Sequence, residues 1–241
     1  GLTSALIYSG TNNQTLSGAI SGTGALTKDG SSTLTLSGAS KTMSGAVTIN
    51  NGTVLVSGGA LNADFTVNSG ATLIAGANYV LATGKTITLN GGTLDVGSLF
   101  IETGSSSVTG IVLNNGTING KSSGLILAQG WVANGNNTIN NRVSLENNKA
   151  GSDNFDIQSG TTTINAEVYN YASRTLGITK NGVGTLVLNA ANSFAGTTTL
   201  NNGTIVLNNA TALGTSALNI VSGTLDNTSN ATITLANNNT Q

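Results

Sequence analysis

One short unit returns along the whole chain, and it constrains the fold more than anything else in the sequence. It reads VTINNGTVLV from Val47, FTVNSGATLIA from Phe65, ITLNGGTLDV from Ile87, IVLNNGTING from Ile111, FDIQSGTTTIN from Phe155, TTLNNGTIVL from Thr198 and LNIVSGTLDN from Leu218. Each copy is two alternating apolar and polar stretches about a Gly/Asn turn. The turn glycines Gly52, Gly70, Gly92, Gly116, Gly160, Gly203 and Gly223 recur about every twenty residues, with two wider gaps. Degenerate copies around Ile139-Asn140-Asn141 and Ile178-Thr179-Lys180-Asn181-Gly182 fill those gaps. A unit this short buries no core alone, so it must stack on copies of itself. Tandem sandwich domains would need longer units.

Within a unit, Val47, Ile49, Val54 and Val56, or Ile87, Leu89, Leu94 and Val96, point one way, with Thr, Asp or Ser between them. Asn50, Asn68, Asn90, Asn114 and Asn201 hold one site just before the turn. Asn tolerates the left-handed backbone of a tight corner, and stacked coils set these side chains about 4.8 Å apart, where amides bond in a ladder. The chain has no Pro, as expected where every strand gives its N–H to a neighbour. The expected fold is all-β: a right-handed parallel β-helix of roughly ten coils, about 50 Å long, running as one segment through residues 1–241.

Composition then excludes function classes. With no Cys and no His, zinc sites, thiol or Ser/His nucleophiles and disulfides are all ruled out. Eight basic against nine acidic residues leave no footprint for nucleic acid or an anionic membrane surface. No apolar run is long enough to span a bilayer, and GLTSALIYSG lacks the marks of a signal peptide. The chain starts and stops within the pattern, which is expected of a piece of a longer protein.

A longer period overlies the short one. The stretch from Thr15 to Val56 matches that from Ala166 to Leu207, with Thr27-Lys28-Asp29-Gly30 over Thr179-Lys180-Asn181-Gly182. Leu26 to Val56 and Ile178 to Leu207, read as LTKxGxxTLxLxxA followed by GxxTxNxGT and aliphatics, resemble the passenger-associated transport repeat, also called the autotransporter-associated β-strand repeat. Lys41 is an extra residue in the first copy, and Met43 stands where the second has Phe194. The resemblance implies a β-helical stalk at the bacterial cell surface or outside the cell, its membrane link a C-terminal outer-membrane β-barrel not contained in these residues.

The candidate chemistry is thin. Asp29, Asp64, Asp95 and Asp226 read as solvated turn residues. The least regular stretch, Trp131 to Arg174, gathers the only Trp, both Arg, and Glu146, Lys149 and Glu167. It supplies the candidate ligand-binding residues Trp131, Tyr169, Tyr171, Arg142, Asp153 and Asp156, because indole and phenol faces suit sugar stacking. The plainer account is a loop insertion, KAGSDNFD, with surface ion pairs and ring packing. Asp153-x-x-Asp156 lacks the oxygen density of a calcium loop, and no metal, cofactor or catalytic set is expected. An ice-binding threonine array is disfavoured because Leu55, Asp95, Asn119 and Val187 also face outward. The expected function is a structural and adhesive surface stalk of an autotransporter-type adhesin. Its partners would be a host or environmental surface, whether glycan or protein, or further copies of itself. The alternatives are a self-assembling extracellular fibre or matrix and, less favoured, a polysaccharide-active enzyme between Glu146 and Glu167.

Overall fold

A computed structural model describes residues 1–78, 84–97, 99, 101–103, 110–120, 125–127, 130–145 and 152–235, with the backbone alone at 101–103 and 125–127. Among these residues all regular structure is β-strand, and the strands stack in parallel as a solenoid. One sheet is eleven strands deep, from Leu6–Tyr8 to Leu218–Ile220, and a second, also eleven deep, runs from Gln14–Leu16 to Thr224–Asp226. A third face holds the four strands Ile101–Thr103, Leu125–Leu127, Val143–Leu145 and Val168–Asn170, and a short one pairs Ile20–Gly22 with Lys41–Met43. Both degenerate copies are full coils, carried by Asn137–Ile139 and Gly177–Asn181.

The two-residue period of a strand decides what fills the core. Leu26, Val47, Phe65, Ile87, Ile111, Trp131 and Phe155 stack in register inside the first sheet. Leu34, Val54, Leu73, Leu94, Ile118, Ile139 and Ile164 do so inside the second. All are buried, and each contributes about 1.5–3 kcal/mol relative to exposure. Outward on the second sheet, Thr33, Thr53, Thr72, Thr93, Thr117, Thr138 and Thr163 form one unbroken rank. Of the interruptions expected, Leu55, Asp95 and Asn119 fall in the neighbouring rank, whereas Val187 follows Thr163 and ends this one. Thr161, Thr185, Thr204 and Thr224 form a second rank two positions away, so the two ranks succeed each other along the sheet and do not make a two-rank array.

Asparagine ladders run along two corners. In one, the Nδ2 of Asn50 donates to Asp29 (2.7 Å), and Asn68, Asn90, Asn114 and Asn134 each donate to the Asn one coil earlier, at 2.6, 3.4, 2.9 and 3.1 Å. Gln158 follows in the next coil and turns to Asp156 instead. A separate rung joins Asn201 to Asn181 at 2.8 Å. A second ladder, not anticipated from the sequence, joins Asn140, Asn165, Asn189 and Asn208 back to Asn119 at 2.9, 2.9, 2.7 and 2.9 Å. Every amide donates to the preceding coil. A carboxylate only accepts, and Asp29 accepts the first amide of the first run, while Asp95 and Asp156 stand in register one coil before Asn119 and Asn181.

The left-handed corner residues are Gly52, Gly70, Gly160 and Gly203, but Gly91 and Asn115 take that role one position ahead of Gly92 and Gly116. The ladder asparagines end strands with ordinary backbone angles, so inter-coil bonding, not corner geometry, selects Asn there.

Candidate functional site

The candidate residues separate by strand parity. Trp131-Val132-Ala133 runs inward, outward, inward, and Trp131 is 1% exposed, its ring stacked on Phe155 with centroids 4.3 Å apart. It is a core residue and offers no face to an external sugar, which corrects the expectation from sequence. Asp153 and Asp156 lie three apart on the strand Ser152–Ile157 and therefore leave it on opposite faces. Asp153 is fully buried, in register with Ile178, whereas Asp156 faces out and accepts from Gln158 Nε2 at 3.1 Å. The two carboxylates do not converge. Glu146 and Lys149 lie outside the described residues.

Arg142, Tyr169 and Tyr171 do share a flank, on the third face of the solenoid. Arg142 enters the strand Val143–Leu145 and Glu167 enters the stacked strand Val168–Asn170, so one coil brings the guanidinium over the carboxylate. Nε and Nη2 both reach Glu167 Oε2, at 3.0 and 2.6 Å, and Oε1 accepts from Ser193 Oγ at 2.6 Å. The guanidinium also covers the Tyr169 ring, 4.2 Å from its centroid. Both charged side chains are about one-third exposed (38% and 32%), and a pair so open to solvent contributes ~0.2–1 kcal/mol, with about as much again from the ring contact. Tyr171 lies two residues on and is exposed, in a bend where Ala172 takes a left-handed φ of 50°. Asn170 anchors that bend, giving Nδ2 to Leu176 O and accepting Ala195 N–H on Oδ1, each at 2.8 Å. The result is a fixed plate of guanidinium and phenol spanning adjacent coils. Both Glu167 oxygens are engaged, one by Arg142 and the other by Ser193.

Three of the described lysines, Lys28, Lys41 and Lys180, are buried, a feature not expected from the sequence. Lys28 and Lys180 point inward because Leu26-Thr27-Lys28 and Ile178-Thr179-Lys180 alternate in, out, in. Lys180 Nζ donates to the carbonyls of Asn181 and Gly182 in its own turn, at 2.7 and 2.8 Å, and to Asn202 of the next coil at 3.2 Å. Lys28 does the same with Gly30 O and, one coil on, Asn51 O at 3.3 Å. Lys41 caps Ser57 O and Gly59 O, both at 2.6 Å. Each ammonium thus ties together carbonyls of tight turns, in the cases of Lys28 and Lys180 from two successive coils. Burial pushes all three lysines below the ordinary lysine value, Lys180 to about 8, where nearby Asp156 partly opposes the shift.

Lys28 and Lys180 share one more property. Residues 26–56 and 178–207 each match the family model of the passenger-associated-transport-repeat, and in both segments the lysine clamp sits at the first corner. No curated protein and no solved structure matches the chain. The extra Lys41 of the first copy adds a clamp of its own, and Met43 and Phe194 are equivalent buried residues. The chain thus carries, twice, the repeat of autotransporter passenger domains.

Proposed function

We propose that this chain is a non-catalytic, adhesive segment of an autotransporter passenger, displayed at the bacterial surface, which holds itself rigid and touches host or environmental material along its side. The observation that carries the reading is the pair of passenger-associated transport repeats built into one in-register stack. A stack of this kind fixes side chains in ranks on its outer faces, and the Arg142–Tyr169 plate with exposed Tyr171 is the part of that surface best suited to a sugar or a peptide. Residues 1–241 act as one binding and spacing unit of a longer passenger whose barrel lies elsewhere.

Beads coated with the purified chain test this, offered to cultured epithelial cells and to an array of microbial and animal glycans. Retention is expected, with a clear loss for the double variant Tyr169→Ala, Tyr171→Ala. Retention that the double variant leaves intact moves the contact to another face. No retention on any surface reduces the segment to a spacer.

A further inference from the structure

Seven Asn-Gly pairs occur in the chain, and the fold treats them differently. In five, the asparagine side chain is tied to another coil. Asn90, Asn119 and Asn181 accept the ladder amides of Asn114, Asn140 and Asn201, Asn134 donates to Asn114, and Asn115 accepts the backbone N–H of Asn136. In the other two, Asn51-Gly52 and Asn202-Gly203, the side chain folds onto its own glycine: Gly52 N–H meets Asn51 Oδ1 at 2.8 Å, and Gly203 N–H meets Asn202 Oδ1 at 2.7 Å. Both asparagines are exposed. Both peptides also carry a buried lysine on the carbonyl oxygen, Lys28 on Asn51 O at 3.3 Å and Lys180 on Asn202 O at 3.2 Å; Lys180 reaches Asn181 O as well, at 2.7 Å, but there the asparagine side chain is held by Asn201 of the next coil.

We propose that Asn51 and Asn202 are sites of spontaneous deamidation, which the fold promotes through the lysine of each repeat. Water or hydroxide takes the proton from the glycine nitrogen, and the freed lone pair attacks the Asn Cγ to form a C–N bond. The Cγ–Nδ2 bond then breaks and Nδ2 leaves as ammonia with a proton from solvent, giving a succinimide. Water opens either imide C–N bond, and the product is an aspartyl or isoaspartyl residue.

Two features favour this at these positions. A hydrogen bond of 2.8 Å to Oδ1 confines Cγ to within about 4 Å of the nucleophile, given a C=O length of about 1.2 Å, so a side-chain rotation completes the approach. The glycines, at φ of 70° and 75°, present no Cβ to hinder it. When the glycine N–H ionises, the charge spreads onto the asparagine carbonyl oxygen, where the ammonium already donates; this is how an oxyanion hole stabilises developing charge. The other five pairs must first break a bond to a neighbouring coil. Each conversion places a carboxylate beside the clamp, on a chain whose net charge is only -1.

The full chain, kept folded at neutral pH and body temperature and peptide-mapped by mass spectrometry over weeks, reads all seven pairs at once. Asn51 and Asn202 are expected to convert about tenfold faster than the other five. In concentrated guanidinium the seven rates should draw together. Lys28→Met should slow Asn51 and leave Asn202 as its control, and Lys180→Met the reverse. Equal rates across the seven pairs of the folded chain would overturn the proposal. So would Met variants of unchanged circular dichroism that react at the parent rate. Should a Met variant not fold, the comparison of folded and denatured parent chain decides on its own.

Discussion

Asn90 lies in the middle of the longer ladder, giving Nδ2 to Asn68 and receiving Asn114 on Oδ1. Replacing it with Leu removes both bonds and leaves two neighbours to be resatisfied by water, which is available because the corner is exposed. Asn90→Leu should therefore cost about 1 kcal/mol, read as a lower midpoint in urea unfolding. The lysine clamps make a prediction of opposite flavour. The folded chain lowers the pKa of Lys28, Lys41 and Lys180, the last to about 8, so between that value and the ordinary lysine value the unfolded chain holds more protons than the folded one. Stability then rises with pH across this window, by ~1–3 kcal/mol, is fully gained above the unfolded value, and is lost again as pH falls through about 8. Urea midpoints at neutral pH and near pH 10 check the sign; a fall with pH would mean that the clamps need their charge more than burial opposes it.

At the level of the strand, parity governs, and it shows why part of the molecule was legible. Val47, Ile49, Val54 and Val56 were assigned inward by alternation, and all are buried. The same rule applied to Trp131-Val132-Ala133 places Trp131 inside, although the repeat around it is irregular. The buried lysines were hidden for a different reason: parity put Lys28 and Lys180 in the core, but only the corner carbonyls explain how a charge is satisfied there. The second ladder had its signal in plain view, an aliphatic followed by Asn at Ile139-Asn140, Ile164-Asn165, Leu188-Asn189 and Leu207-Asn208. What the sequence did not show is a slip of two positions at the strand Ser152–Ile157. Phe155 pairs with Trp131 on one side and with Lys180 on the other, although Lys180 corresponds to Lys28, two places further along the repeat. An even slip keeps every side chain on its own face, so periodicity alone does not reveal it. Trp131→Ala in this column should cost ~3–5 kcal/mol, whereas Tyr171→Ala on the flank should stay within about 0.5 kcal/mol; thermal unfolding of the two variants separates core from surface.

For the molecule as a whole, the near absence of charge sets the response to salt. Among the described residues the Arg142–Glu167 pair is surface-exposed, and the coils are also joined by buried apolar columns, amide ladders and the lysine clamps. Raising salt from dilute buffer to molar sodium chloride should move the unfolding free energy by less than about 1 kcal/mol, and a larger change in denaturant midpoints would show that charge matters more than the packing implies. Because each strand bonds to the coils on either side of it, the bonds that join coils lie along the long axis of the molecule. A pull on its two ends therefore loads one coil boundary at a time, and the boundaries yield like the teeth of a zip. Each coil that gives way turns a rise of about 4.8 Å into a released length of about 70 Å of extended chain. If the segment is adhesive as proposed, an attached cell dragged by flow would then meet a tether that lengthens in steps.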